Sequence, residues 1–110
     1  MVSDLPLLYV RKEVFSWLKQ GKKTIDIRKG KPLRGEKIVF QSGPYTLRVK
    51  IVKRESGLLD EILRLDNYIQ VIPSAVGLCD AVDYLRMIYG ACDGVFTAYY
   101  VASLSDSEKC

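Results

Sequence analysis

The stretch Gly21-Lys22-Lys23-Thr24-Ile25-Asp26-Ile27-Arg28 gathers two amines, a hydroxyl, a carboxylate and a guanidinium into a few residues. Its alternation of polar and apolar types is that of a half-buried strand. Thr24, Asp26 and Arg28 therefore point to one face, with Lys22 and Lys23 at the turn before them. Such a cluster supports two kinds of chemistry. A lysine whose pKa is depressed by burial and by neighbouring cations becomes a general base near neutral pH, and a carboxylate beside it can activate water. A planar guanidinium such as that of Arg28 grips a phosphate or the edge of a nucleobase. Asp26 favours the charged form of Lys23, which suits anion binding better than proton abstraction. The same residues also fit an ordinary solvated strand carrying an ion pair.

The elements that must position these groups can be read from periodicity. Leu7 to Val10 is a first strand, and Lys12 to Gln20 a helix whose Val14, Trp17 and Leu18 share one face. Gly21 ends that helix in the left-handed conformation. Thr24 to Arg28 and Lys37 to Gln41 are strands, Ser42-Gly43-Pro44 turns the chain, and Tyr45 to Arg54 returns antiparallel. In that last strand Leu47, Val49 and Ile51 alternate with Arg48 and Lys50, which places these two cations on an outer face. Ser56 is a cap for a helix over 57–65. Leu78, Ala81, Val82, Leu85 and Tyr89 form the stripe of a second long helix that Gly90 ends and that should cover the sheet. Gly94 to Val101 is apolar on both faces, as a central strand is. The reading is one domain over 1–104, with a frayed polar tail over 105–110.

Composition removes whole classes of function. The 110 residues contain no histidine, so histidine general bases, Ser-His-Asp triads and histidine metal sites are excluded. Cys79, Cys92 and Cys110 have no paired spacing, and neither a disulfide framework nor a thiolate metal site is expected. No cofactor is called for. No apolar run reaches the length of a membrane span, and the N-terminus, with Asp4 and Pro6, does not read as a secretory signal. The expectation is a cytoplasmic protein with no membrane partner.

The formal net charge of +4 hides an asymmetry. Residues 1–54 carry 14 Lys and Arg against 4 Asp and Glu, while residues 55–110 carry 3 against 9. A basic half suits a polyanion, provided the two halves do not interleave in the fold. Lys29, Lys31, Arg34 and Lys37 add charge in a connection interrupted by Gly30, Pro32 and Gly35. Among the aromatic residues, Trp17, Tyr89, Tyr99 and Tyr100 read as packing, whereas Tyr45 and Tyr68 lie in connections and are the candidates for stacking on a base. Cys79 reads as a small apolar residue.

The order of elements and two segments resemble the ASCH domain family of the PUA-like superfamily. The segments are Leu8-Tyr9-Val10-Arg11-Lys12 and the Gly21-to-Arg28 stretch, followed by the late helix that ends in Ile88-Tyr89-Gly90. The resemblance spans nearly the whole chain. It implies an α+β fold, a small mixed or antiparallel β-barrel flanked by about three helices. It also implies a cleft between barrel and helices for RNA or a nucleoside, walled by the Gly21-to-Arg28 segment. Some bacterial members are amidohydrolases acting on N4-acetylcytidine through a Lys, a Thr and a Glu. Lys23 falls on that lysine, Asp26 replaces the threonine, and Ser74 falls near the glutamate.

The expected function is binding of RNA or a nucleotide in a basic cleft, by Arg11, Lys22, Lys23, Arg28, Lys29, Arg48 and Lys50. One alternative is hydrolysis of a modified nucleoside or of RNA, with Lys23 and Asp26 catalytic. Another is a protein-interaction module whose basic face meets an acidic partner.

Overall fold

The computed structural model describes residues 6–103, and the polar tail over 105–110 lies outside them. Five strands form one sheet: β1 (Leu7–Tyr9), β2 (Ile25–Lys29), β3 (Lys37–Ser42), β4 (Tyr45–Leu58) and β5 (Val95–Ser103). Helices α1 (Lys12–Lys19), α2 (Leu59–Ile62), α3 (Tyr68–Val71) and α4 (Leu78–Tyr89) complete an α+β fold. The strand order is β1-β3-β4-β5-β2, with β1 parallel to β3 and the other pairs antiparallel. The sheet curls into a half-barrel that does not close. Its two edges, β1 and β2, are not paired; the chain between them forms α1, and a pocket opens where closing hydrogen bonds would run.

Two apolar clusters hold the sheet from opposite faces. Alternation on β5 divides them: Phe96 and Ala98 pack with Ile25 and Ile27 against α2, α3 and α4, while Tyr99 and Val101 pack with Ile38, Phe40, Val49 and Ile51 against Val14 and Leu18 of α1. Trp17 and Tyr84 touch both clusters, and their rings lie 6.0 Å apart. The late helix covers the sheet as its stripe predicts, with Ala81 and Leu85 buried. Gly21 has φ +78°, the conformation that lets the chain leave α1 and enter β2 within a few residues.

Four local expectations need correction. β4 runs on to Leu58, through the region expected to start a helix. Ser56 does not cap; its hydroxyl lies 3.0 Å from that of Thr97 on the neighbouring strand, so cross-strand pairing outweighs the local capping signal. The helix expected over 57–65 is reduced to α2, and α3 was not foreseen. Asn67 joins them, its Oδ1 accepting from the Arg64 amide at 2.8 Å and its Nδ2 donating to the Ile62 carbonyl at 3.0 Å. Cys79 is exposed on α4 instead of packed.

Candidate functional site

The pocket in the seam between the sheet edges measures about 100 Å³. Tyr9 and Val10 at the end of β1, Arg11 and Val14 at the start of α1, and Asp26 to Arg28 of β2 form one side, and Tyr84, Leu85, Ile88 and Tyr89 of α4 the other. Lys23, from the tight turn before β2, also reaches it.

Asp26 lies on β2 directly opposite Tyr99 and shares its inward face, which makes it a buried carboxylate at 5% exposure. The expectation of a solvated ion pair therefore fails: this face of β2 looks into the half-barrel. Asp26 Oδ2 accepts from Arg28 Nε at 2.7 Å, and Oδ1 faces Lys23 Nζ at 4.0 Å. Lys23, at 4% exposure, donates to the Ile25 carbonyl at 2.9 Å and to the Val71 carbonyl of α3. Burial pulls the lysine pKa down from 10.5, Asp26 holds it up and Arg28 pushes it down again, leaving it at about 8. Burial works against the Arg28 charge too, but Asp26, by charge and hydrogen bond, keeps the guanidinium pKa above its ordinary value. Arg28 Nη2 reaches across the open seam to the Tyr9 carbonyl at 3.5 Å, at the limit of a hydrogen bond.

The rim is built by α1 and α4. Tyr84 donates from its hydroxyl to Glu13 Oε2 at 2.9 Å, and Glu13 also lies 3.9 Å from Arg11 Nη1, whose side chain is half exposed. The backbone at the start of α1 and the Tyr84 hydroxyl both lower the Glu13 pKa. Burial, followed by the Glu13 hydrogen bond, raises the Tyr84 phenol to about 12. Tyr89 is likewise raised to about 12, chiefly by burial, and donates to the Ile27 carbonyl at 3.0 Å.

Of the residues singled out in the sequence, the fold brings Arg11, Lys23, Asp26 and Arg28 to this pocket and leaves the others outside it. Lys22 is exposed at the turn. Lys29 donates to the Ala91 carbonyl at 3.2 Å and lies 4.0 Å from Asp93. Arg48 and Lys50 do lie on the outer face of β4, in the middle of the sheet and away from the seam. Ser74 is exposed and is not part of the pocket. The basic loop after β2 is held to the sheet: Arg54 donates to the Leu33 carbonyl at 3.1 Å and to the Gly35 carbonyl, and the Leu33 amide donates to the Tyr99 hydroxyl.

Sequence reasoning missed Tyr9, which is 68% exposed at the pocket mouth. Tyr45 is exposed but its ring neighbours Phe15, and Tyr68 packs on the helical cluster, so neither stacking candidate lines the pocket. The signal for Tyr9 was its place beside Arg11 at a strand end.

No family model matches the chain, and no curated protein matches it. The fold does have counterparts. The crystal structure of the hypothetical protein PH0355 superposes with a TM-score of 0.74 at 18% identity, covering 92% of this chain and 100% of that one. The solution NMR structure of protein PF0455 from Pyrococcus furiosus does so with a TM-score of 0.68 at 20% identity, covering 93% and 99%. At these identities the likeness is one of fold.

Proposed function

We propose that this chain is a PUA-like module that binds single-stranded RNA or a nucleotide at the seam between β1 and β2. The observation that carries the reading is the Lys23–Asp26–Arg28 group, its lysine and carboxylate buried and its guanidinium partly exposed, facing a pocket with Arg11 at its rim. Buried ion pairs contribute little net stability compared with apolar packing, so charges kept beside a pocket point to a ligand. Two cations flanking one carboxylate, with Arg11 beyond, leave the site net positive. The pocket, at about 100 Å³, is smaller than the roughly 300 Å³ at which pockets for whole small molecules begin. It admits a phosphate or the edge of a base, with the rest of the nucleotide lying at the mouth against Tyr9. Arg28 and Arg11 would meet the phosphate, and Asp26 Oδ1, unbonded except for its distant lysine, would accept from a base amine.

Fluorescence anisotropy with labelled single-stranded RNA tests this. Arg11→Ala should weaken binding about tenfold without lowering the melting temperature, a loss of one charge-assisted contact. RNA affinity equal in wild type and Arg11→Ala, with both proteins folded, would end the reading.

One observation favours a second reading, hydrolysis of an acylated nucleoside such as N4-acetylcytidine. The Lys23 amine gives up its proton near pH 8, within reach of a general base. Turnover of N4-acetylcytidine by wild type no faster than by Lys23→Ala would remove it.

A further inference from the structure

We propose a second binding site, a groove on the acidic side of the molecule that docks a basic, leucine-bearing segment of a partner protein. The groove lies between α2, the start of α4 and residues 92–94, and measures about 470 Å³. Leu59, Leu63, Leu78 and Val82 give it apolar walls. Its volume falls within the range of built binding sites.

The apolar surface continues past the groove. Leu58, which lines it, pairs across the sheet with Val95, so both face the same side, and they are 49% and 47% exposed. An apolar groove edged by exposed aliphatic side chains of this kind can seat the apolar side chains of a peptide.

Charge selects the partner. Asp60 and Asp93 both line the groove, and the Asp93 side chain is 87% exposed, with Lys29 Nζ 4.0 Å away. α2, α4 and the segment joining them carry Asp60, Glu61, Asp66, Asp80 and Asp83 against Arg64 and Arg86. A segment in which leucines alternate with lysines or arginines buries its apolar side chains in the groove and meets the Asp60 and Asp93 carboxylates that line it. An acidic segment would be repelled. The site owes nothing to the RNA reading.

Two cysteines make the proposal measurable. Cys92 lines the groove, whereas Cys79 is exposed on α4 outside it. The capped peptide Lys-Leu-Lys-Leu-Lys should slow iodoacetamide alkylation of Cys92 about tenfold at ten times its Kd, by simple occupancy, with Cys79 unchanged in the same digest. The double variant Asp60→Asn, Asp93→Asn should lose that protection. Equal protection by Glu-Leu-Glu-Leu-Glu, by Lys-Ser-Lys-Ser-Lys or by n-octylammonium would overturn the proposal, as would protection by raising the protein's own concentration, which would give the groove to a second copy. The amide resonances of Val82 and Gly94 provide a readout independent of thiol reactivity: if neither they nor Cys92 respond to the basic peptide, the site does not exist.

Discussion

Lys23 is the residue whose type was legible and whose state was not. Nothing in Gly21-Lys22-Lys23-Thr24 says which lysine turns inward; the tight exit from α1 and the Val71 carbonyl of α3 decide it. Because its folded pKa of about 8 lies below the ordinary 10.5, the unfolded chain holds this proton more tightly than the folded one. Stability therefore rises as pH climbs from about 8, by up to about 3 kcal/mol if the window to 10.5 were fully open. Tyr84 and Tyr89 act in the opposite sense, since their raised phenols contribute stability that is lost from pH 10 up to about 12. Urea unfolding at pH 8 and pH 9.5 should thus show wild type gaining stability and Lys23→Met gaining none. Arg28→Ala should cost about 2 kcal/mol, less than a fully buried pair because the guanidinium is partly solvated, since Asp26 keeps Lys23 alone as partner. Arg28→Lys should recover part of the stability while failing to restore RNA affinity, because an ammonium lacks the planar fork that bonds Asp26 through one nitrogen and presents its other N–H groups to a phosphate in fixed geometry.

Elements with strong periodicity were legible, and those fixed by one side chain were not. The stripe of α4 and the alternation of β4 gave their burial correctly because many residues vote on each. α2 and α3, four residues each, depend on Asn67, a buried polar residue that reads in sequence as ordinary loop. Asn67→Ala should cost about 2 kcal/mol by leaving the Arg64 amide and Ile62 carbonyl unpaired. The start of α2 rests on a different contact, the Glu61 carboxylate accepting from the Leu58 amide at 2.8 Å. A Cβ at Gly57 would lie 2.6 Å from that oxygen. Gly57→Ala should therefore displace Glu61 and cost about 1 kcal/mol in denaturant unfolding, with Glu61→Ala costing as much and the double variant little more.

Across the whole molecule, the two halves of the chain do interleave, because β5 enters the sheet between β4 and β2. The charges stay separate nonetheless. β5 reads Val-Phe-Thr-Ala-Tyr-Tyr-Val-Ala-Ser and carries no charge, so it joins the basic strands without diluting them, and Asp60, Glu61, Asp66, Asp80 and Asp83 ride on the helical layer; Glu55 on β4 and Asp93 beside Lys29 are the exceptions among the described residues after Arg54. The RNA reading accordingly predicts an affinity that falls with the logarithm of salt at a slope near −2, as about three phosphate contacts on a single strand would give, and a flat dependence between low and moderate salt would exclude it. Sequence alone determined the α+β class, most strand and helix positions, the want of histidine chemistry and the uneven charge, all properties of residue type and local period. The tertiary structure decided that the half-barrel stays open, that Lys23 and Asp26 are buried while Lys22, Lys29, Arg48 and Lys50 stand elsewhere, and that Tyr9 faces the pocket. These depend on which distant segments meet at a seam, and no local pattern encodes that meeting.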